Sequence, residues 1–183
     1  MVKLLLHTCC TPCGIYPLRE LRKEGFAVSA FFYNPNIHPQ EEYARRRKAA
    51  ESWAKDEGCE LIAPAWRPEE FLQAIGKETK APARCALCWR LRIMQTALAA
   101  GQGGFSHFTT TLLASPYQDQ EKIKEIGEDP ALARNGWAKF YFADFRDGFR
   151  SAHKEAKEKG FYCQKYCGCA RSLEERCKKS PRP

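Results

Sequence analysis

The cysteine content places the strongest constraint on this sequence, because a chain of 183 residues contains ten cysteines. Seven of them form three short groups: Cys9, Cys10 and Cys13; Cys85 and Cys88; Cys167 and Cys169. Cysteines grouped in this way form disulfides, bind metal ions or carry out redox chemistry. The groups lie at the beginning, middle and end of the chain, so a shared site requires a fold that brings these distant segments together.

The cellular compartment decides between disulfides and reduced thiols. The first ten residues contain a short apolar run, Leu4 to Leu6, and no small-residue cleavage site follows, which argues against a signal peptide. No segment approaches the roughly 20 apolar residues that a membrane-spanning helix needs. We therefore expect a cytoplasmic protein that does not interact with a membrane, in which grouped cysteines stay reduced and bind metals or carry out chemistry.

Strand-like and helix-like segments alternate along the chain. The predicted strands are 2–6, 26–33, 60–63, 106–111 and 140–143, and the predicted helices are 15–23, 41–57, 68–75, 83–100, 118–126 and 149–159. This alternation predicts an α/β fold with a mainly parallel sheet and helices on both faces, of the Rossmann-like, nucleotide-hydrolase-like kind. We expect one catalytic domain over residues 1–177 and a flexible tail over 178–183.

The position of the first cysteine group predicts where a metal site would lie. Cys9, Cys10 and Cys13 follow the first strand, and ligands bind beyond the carboxyl ends of the strands in open α/β sheets. We therefore expect a metal site at the C-terminal edge of the sheet.

Three kinds of chemistry suit seven grouped thiols. A structural zinc ion takes four ligands, so seven exceed what one zinc needs. An iron–sulfur cluster also takes four thiolates, which leaves about three for a second metal or for redox work. Dithiol redox chemistry is the third alternative. Cys59 and Cys177 stand apart from the groups and are interpreted as core or surface cysteines without a metal. Cys163 could be either such a cysteine or a metal ligand.

The charge indicates the class of partner. Lys and Arg number 30 against 22 Asp and Glu, which gives a formal net charge of +8. A net positive charge of this size favours a polyanionic partner, above all a nucleic acid. A basic surface that only keeps the protein soluble would have the same net charge. Basic side chains predicted to contact RNA are Arg45, Arg46, Arg47 and Lys165.

Further candidates for substrate binding and catalysis follow predicted strands. The substrate-binding candidates are Tyr33, Asn34, Asn36 and His38 after the second strand, and Thr109, Thr110, Ser115, Tyr117 and Gln118 at and after the fourth. Asp144 and Arg146 follow the last strand and are candidates for catalysis. The simpler readings are an Asn-Pro turn, a capped threonine-rich strand and a surface ion pair. His7 lies in a buried strand and is interpreted as a core histidine.

The same residues carry a family resemblance that extends from about Leu4 to Ser172. The motifs are Leu5 to Cys13, Phe32 to Pro39 with Glu42 and Tyr43, Arg84 to Arg92, Phe108 to Gln118, Asp144 to Arg146, and Gln164 to Cys169. In this order and spacing, they resemble the epoxyqueuosine reductases of the QueH type.

The resemblance implies a tRNA-modifying reductase. Such an enzyme converts epoxyqueuosine at the wobble position of a tRNA anticodon stem-loop to queuosine, by two-electron reductive removal of the epoxide oxygen. The resemblance further implies a [4Fe-4S] cluster, an additional mononuclear iron and an external electron donor. The competing reading is a non-enzymatic, zinc-stabilised RNA-binding module.

On this resemblance the seven grouped cysteines are the metal ligands. We assign Cys10, Cys85, Cys88 and one of Cys167 and Cys169 to the cluster, and the remaining cysteines to the second iron. Cys9 and Cys13 join Asp144 and Arg146 as the predicted catalytic residues. Some relatives have aspartate where this chain has Cys13, a change that keeps an anionic ligand but makes it softer.

Overall fold

The structure is a computed structural model that describes residues 1–133 and 138–179. Its strands are β1 (Val2–His7), β2 (Phe26–Phe31), β3 (Leu61–Ile62), β4 (His107–Thr110) and β5 (Lys139–Phe140). Its helices are α1 (Thr11–Lys23), α2 (Gln40–Asp56), α3 (Pro68–Ile75), α4 (Ala83–Gln102), α5 (Gln120–Gly127), α6 (Pro130–Ala133), α7 (Phe149–Glu158) and α8 (Ala170–Lys179). Short 3₁₀ turns occupy Thr111–Ala114 and Arg146–Gly148.

The five strands form one parallel sheet in the order β3-β2-β1-β4-β5, which confirms the predicted fold class. The chain first forms one half of the sheet, from β1 at the centre to β3 at the edge. It then returns to the centre and forms the other half with β4 and β5. Helix α1 packs with α2 and α7, and α4 packs with α3 and α5. Because parallel crossovers are right-handed, the reversal in strand order places these two layers on opposite faces. The reversal also makes the gap between the ends of β1 and β4 the topological switch point.

The core is built on the central strand. Leu4, Leu5 and Leu6 of β1 are fully buried, as expected for a parallel strand covered by helices on both faces. Trp53 of α2 is also fully buried and lies against α1 at Gly14. A Cβ atom at Gly14 would lie 2.8 Å from the Trp53 ring, so this close approach of α1 and α2 requires glycine.

The structure differs from the sequence prediction mainly at the ends of elements. Helix α1 begins at Thr11, four residues before its predicted start, with Pro12 in its first turn, where a missing N–H is harmless. The last strand is shorter than predicted and covers only Lys139–Phe140. Helix α8 was not predicted, and it includes the first two residues of the predicted tail, whereas residues 180–183 lie outside the described residues.

Candidate metal centre

The first cysteine group lies at the topological switch point. Strand β1 ends at His7 and α1 begins at Thr11, so Cys9 and Cys10 occupy the connecting loop and Cys13 the first turn of α1. The three sulfur atoms lie within 4.8 Å of one another. Cys10 and Cys13 are buried, whereas Cys9 is half-buried. The loop thus presents three soft ligand atoms within reach of a single metal centre.

The hydrogen bonds in this triad favour one thiolate. The thiols of Cys10 and Cys13 and the Thr111 hydroxyl, whose Oγ1 lies 3.2 Å from Cys9 Sγ, hold the pKa of Cys9 well below its ordinary value. Burial raises the pKa of Cys10. Sharing its proton with the neighbouring sulfurs raises the pKa of Cys13. Of the three thiols, Cys9 therefore loses its proton most readily.

The second and third cysteine groups meet near the start of α4. Cys88 and Cys169 are buried in one cluster with Phe71 and Ile75. The pKa of the Cys88 thiol is raised to about 12, mainly by burial; the Arg92 guanidinium opposes this rise, and the sulfurs of Cys167 and Cys169 add to it. One cysteine from the middle of the chain and one from its end thus share an apolar setting, whereas Cys85 is half-buried and Cys167 is exposed.

Arg92 connects the groups, and sequence reasoning missed it. Its side chain is buried, with an exposed fraction of 2%. Burial lowers the pKa of Arg92, but the sulfurs of Cys88, Cys167 and Cys9 raise it more. One guanidinium therefore lies near a sulfur from each of the three groups. The available signal was spacing, because Arg92 follows Cys85 by seven residues and Cys88 by four, on the same face of a helix.

A cavity of about 640 Å³ opens at this site. Its lining includes Cys9, Cys13, Cys167 and Arg92. The predicted residues Ser115, Tyr117 and Gln118 also line it, together with Phe149, His153, Gln164, Lys165 and Tyr166, among others. The structure therefore brings cysteines from the first and last groups and three predicted substrate-binding residues to one opening.

One wall of this cavity is aromatic and accessible. The Tyr117 side chain is 83% exposed, and its ring meets the Phe149 ring edge to face at a centroid distance of 5.9 Å. The Phe149 ring in turn lies 4.1 Å from the His153 ring. The Gln118 side chain is held in position by a hydrogen bond, in which its Oε1 accepts from Trp89 Nε1 at 2.9 Å. Phe149 and His153 were not predicted, since a charged helix gave no sign of which side chains face a cavity.

Two of the predicted threonines do not reach the cavity. Thr109 and Thr110 are buried, and the Thr110 hydroxyl is hydrogen-bonded to His7 Nδ1 at 2.8 Å. His7 Nε2 lies 3.1 Å from the Tyr33 carbonyl oxygen, so the interpretation of His7 as a core histidine is confirmed. Thr111, which follows them, is the threonine that contacts the cysteine triad. Substrate binding by Thr109 and Thr110 stays a prediction. The burial of both side chains argues against it.

The Asn-Pro loop supports the last cysteine group. The His38 backbone N–H donates to the Gly168 carbonyl at 2.9 Å, and Asn34 Nδ2 donates to the Thr8 carbonyl at 2.9 Å. Gly168 has a φ of 143°, and a Cβ there would lie 3.0 Å from Asn36 Nδ2. Substrate binding by Asn34, Asn36 and His38 thus stays a prediction, while their observed contacts fix the path of the chain.

Tyr33, Asp144 and Arg146 have partners away from the cavity. The Tyr33 hydroxyl donates to Glu70 Oε2 at 2.5 Å. Asp144 and Arg146 pair with each other at 2.5 Å, with side chains about half exposed. None of the three lines the cavity at the cysteines. Their predicted roles in binding and catalysis stay predictions without support from these contacts.

Arg46 lines the cavity, but its contacts lie within the protein, so RNA contact by Arg46 stays a prediction. Its side chain is 2% exposed and pairs with the equally buried Glu42 at 2.8 Å. Arg46 also donates to the backbone carbonyls of Cys167 and Tyr166, at 2.9 and 3.0 Å. Arg46 therefore fixes the third cysteine group to α2. Arg45 remains exposed at the surface, where its guanidinium lies over the Tyr162 ring.

The fold and site together define a Rossmann-like α/β protein with a candidate metal centre of cysteines at the switch point. Solved structures of low identity share this fold. A U34-tRNA thiolase, NcsA from Methanococcus maripaludis with its [4Fe-4S] cluster, matches with a TM-score of 0.59 and 14% identity, over 97% of this chain and 67% of that one. A predicted tRNA methyltransferase subunit from Methanocaldococcus jannaschii matches with a TM-score of 0.57 and 12% identity, over 86% of this chain and 76% of that one.

The chain belongs to the epoxyqueuosine reductase family QueH, whose family model matches residues 4–175. The epoxyqueuosine reductase QueH of Dehalococcoides mccartyi is 35% identical over 99% of this chain and 98% of the relative. That of Thermotoga maritima is 34% identical over 98% of this chain and 94% of the relative. These matches confirm the predicted family and the prediction of an oxidoreductase, and they favour the enzyme over a non-enzymatic zinc module. Within the described ranges, no helix is long and apolar enough to cross a membrane.

Proposed function

We propose that this chain reduces epoxyqueuosine in tRNA to queuosine, removing the epoxide oxygen as water with two electrons and two protons. The observation that carries the proposal is the cysteine triad beside the 640 Å³ cavity, at the edge of the sheet where α/β proteins bind ligands. A cavity of this volume is in the range that encloses a small organic ligand such as a modified nucleoside.

The donor set fits an iron–sulfur centre. Three sulfurs lie within 4.8 Å of one another at the switch point, Cys167 lines the same cavity, and Cys88 and Cys169 share a buried cluster. We propose that Cys10, Cys85, Cys88 and one of Cys167 and Cys169 bind a [4Fe-4S] cluster. The remaining cysteine of the last pair would join Cys9 and Cys13 around an additional mononuclear iron. When bound, such a centre supplies electrons singly and a Lewis acid for the epoxide oxygen.

The protein's own side chains orient the sulfurs. Thr111 accepts the Cys9 backbone N–H at 2.9 Å and donates to Cys9 Sγ at 3.2 Å. Gln164 Nε2 donates to Cys10 Sγ at 2.7 Å. These hydrogen bonds fix two adjacent sulfurs, and the bond from Thr111 lowers the pKa of Cys9 and so favours its thiolate, the form that binds metal.

Two basic side chains that line the cavity are proposed to supply protons for the departing oxygen. Lys165 and His153 both line the cavity, and either side chain carries an exchangeable proton on nitrogen. We propose that Lys165 Nζ and the His153 ring hold protons near the epoxide. The predicted roles of Ser115, Tyr117 and Gln118 in substrate binding are retained, because all three line the same cavity.

The substrate is proposed to be the anticodon stem-loop rather than the free nucleoside. A net charge of +8 attracts phosphates irrespective of sequence. Tyr117 and Phe149 offer aromatic faces of the kind that stack on unpaired bases, and the wobble base lies in a single-stranded loop. We propose that an external electron donor supplies the two electrons.

The experiment compares two substrates under anaerobic conditions with a chemical reductant. We expect turnover of epoxyqueuosine-containing tRNA to exceed that of the free nucleoside, and its KM to rise steeply with salt. Tyr117→Ala should raise KM for the tRNA about tenfold, which corresponds to roughly 1.4 kcal/mol of stacking. Leu72→Ala removes another exposed apolar side chain, which does not line the cavity, and serves as the control. Equal efficiency on both substrates without salt dependence would contradict the RNA proposal.

A further inference from the structure

The buried guanidinium of Arg92 is not accounted for by the contacts within the protein. Its Nε donates to the Cys88 carbonyl at 3.3 Å, which is a long hydrogen bond. Its Nη2 is buried and has no hydrogen-bond partner among the described residues. A buried cation without a full set of acceptors costs several kcal/mol, so a fold retains one when another component supplies the missing charge.

The surroundings identify that charge as sulfur. Arg92 lines the same cavity as Cys9, Cys13 and Cys167. The groups that act most strongly on it are the sulfurs of Cys88, Cys167 and Cys9, one from each cysteine group. Buried carboxylates lie elsewhere, since Glu42 is already paired with Arg46. The anionic partner that this guanidinium fits is therefore the thiolate set itself.

We infer that Arg92 is the counter-charge of the metal centre, a positioning residue that stabilises the added electron when the centre is reduced. This inference rests on the proposed function, because it requires the cluster to be present. Reduction by one electron, with dithionite as the electron source, adds one negative charge and no proton to the centre. A fixed positive charge in a buried site favours the more negative state, so Arg92 should raise the reduction potential.

The test is a redox titration of the anaerobically purified protein, followed by electron paramagnetic resonance. Arg92→Met removes the charge and keeps much of the volume, and Arg92→Lys keeps the charge. We expect the reduced-to-oxidised ratio at a fixed potential to fall at least tenfold in Arg92→Met, equivalent to about 59 mV for one electron. Arg92→Lys should lie between Arg92→Met and the wild type. Arg90→Met, on the same helix but half exposed and paired with Asp129, should leave the potential unchanged.

The outcomes separate this inference from the proposed function. A wild-type protein without iron and sulfide would contradict the proposed function before Arg92 is tested. A fully loaded Arg92→Met protein with the wild-type potential would overturn the inference alone. If Arg92→Met binds no cluster, the stability of the metal-free Arg92→Met protein is compared with that of the metal-free wild type. A metal-free Arg92→Met protein as stable as metal-free wild type places the defect in thiolate binding and supports the inference, whereas an unfolded one assigns Arg92 a structural role and overturns it.

Discussion

The Cys9 backbone N–H donates to Thr111 Oγ1 at 2.9 Å, and the same hydroxyl donates to Cys9 Sγ at 3.2 Å. Cys9 follows β1, and Thr111 follows β4, so one side chain bridges the two strands that flank the switch point. This contact fixes the backbone that presents the triad, and it also supplies a proton donor to the sulfur that ionises first.

Thr111→Val should separate these contributions, because valine keeps the shape and removes the hydroxyl. We expect the pKa of Cys9 to rise, so that a thiol reagent labels it more slowly at neutral pH in metal-free protein. The unpaired Cys9 N–H should also cost about 1–3 kcal/mol of unfolding free energy. Thr111→Ser keeps the hydroxyl and is the matched control. Unchanged labelling and stability in Thr111→Val would show that the bridge is incidental.

Replacement of the grouped cysteines should remove the metal centre. Cys88→Ala leaves the cluster with too few thiolates, so we expect loss of iron, sulfide and visible absorption, with a lower Tm because metal binding is coupled to folding. Cys59→Ser and Cys177→Ser change cysteines outside the groups and should preserve the iron and sulfide content, the visible absorption and the Tm. Their thiols lie elsewhere, since Cys59 Sγ donates to the Val28 carbonyl and Cys177 is exposed on α8. Loss of the cluster in either control would contradict the assignment of the seven ligands.

Arg46→Met should destabilise the chain far more than Arg45→Met, although the two residues are adjacent. Removal of Arg46 leaves the buried Glu42 carboxylate without its buried cationic partner, which costs about 3–5 kcal/mol in comparable buried pairs. Arg45 is 59% exposed, so its loss should cost under about 1 kcal/mol. Urea denaturation measures both values. Similar stabilities for the two variants would mean that the contact of Arg46 with the third cysteine group contributes little.

The stability of the chain should fall in acid through Glu155. Arg19 and Lys159 lower the pKa of Glu155 to about 2 from an ordinary value of 4.5. Because the folded state favours the carboxylate, this stabilisation is complete above about pH 4.5 and is lost as the pH falls toward 2. Glu155→Gln should cost about 1 kcal/mol at pH 7 and flatten the decline in stability over that window. Glu158→Gln, on an exposed pair, is the control. An unaltered acid profile in Glu155→Gln would contradict the assignment.

Much of the fold was predictable because its signals are local. A continuous apolar run marked β1, and the spacing of Leu87, Leu91 and Met94 marked α4, so the alternation of elements gave the parallel sheet. Helix α8 was missed because its sequence is largely polar, although Ala170, Leu173 and Cys177 recur at helical spacing on one face. Long-range contacts attach it instead, including the Arg84–Glu175 ion pair at 2.8 Å.

The candidate site was predictable in composition but not in contacts. The cysteine groups were visible in the sequence, whereas Arg46 looked like one member of a solvated arginine run. On a helix, Arg46 lies three residues after Tyr43 and four before Ala50, both buried, and this periodicity turns it inward. The pairing of Tyr33 with Glu70 depends on how side chains meet in the folded chain, which residue identity does not specify. The ion pair of Asp144 with Arg146 was one of the two readings that the sequence left open.

Metal and sulfide analysis after anaerobic expression with iron supplied tests the central claim most directly. We expect about five irons and about four acid-labile sulfides per chain, in a brown protein that absorbs broadly near ~400 nm. A colourless protein that contains zinc as its only stoichiometric metal would contradict it.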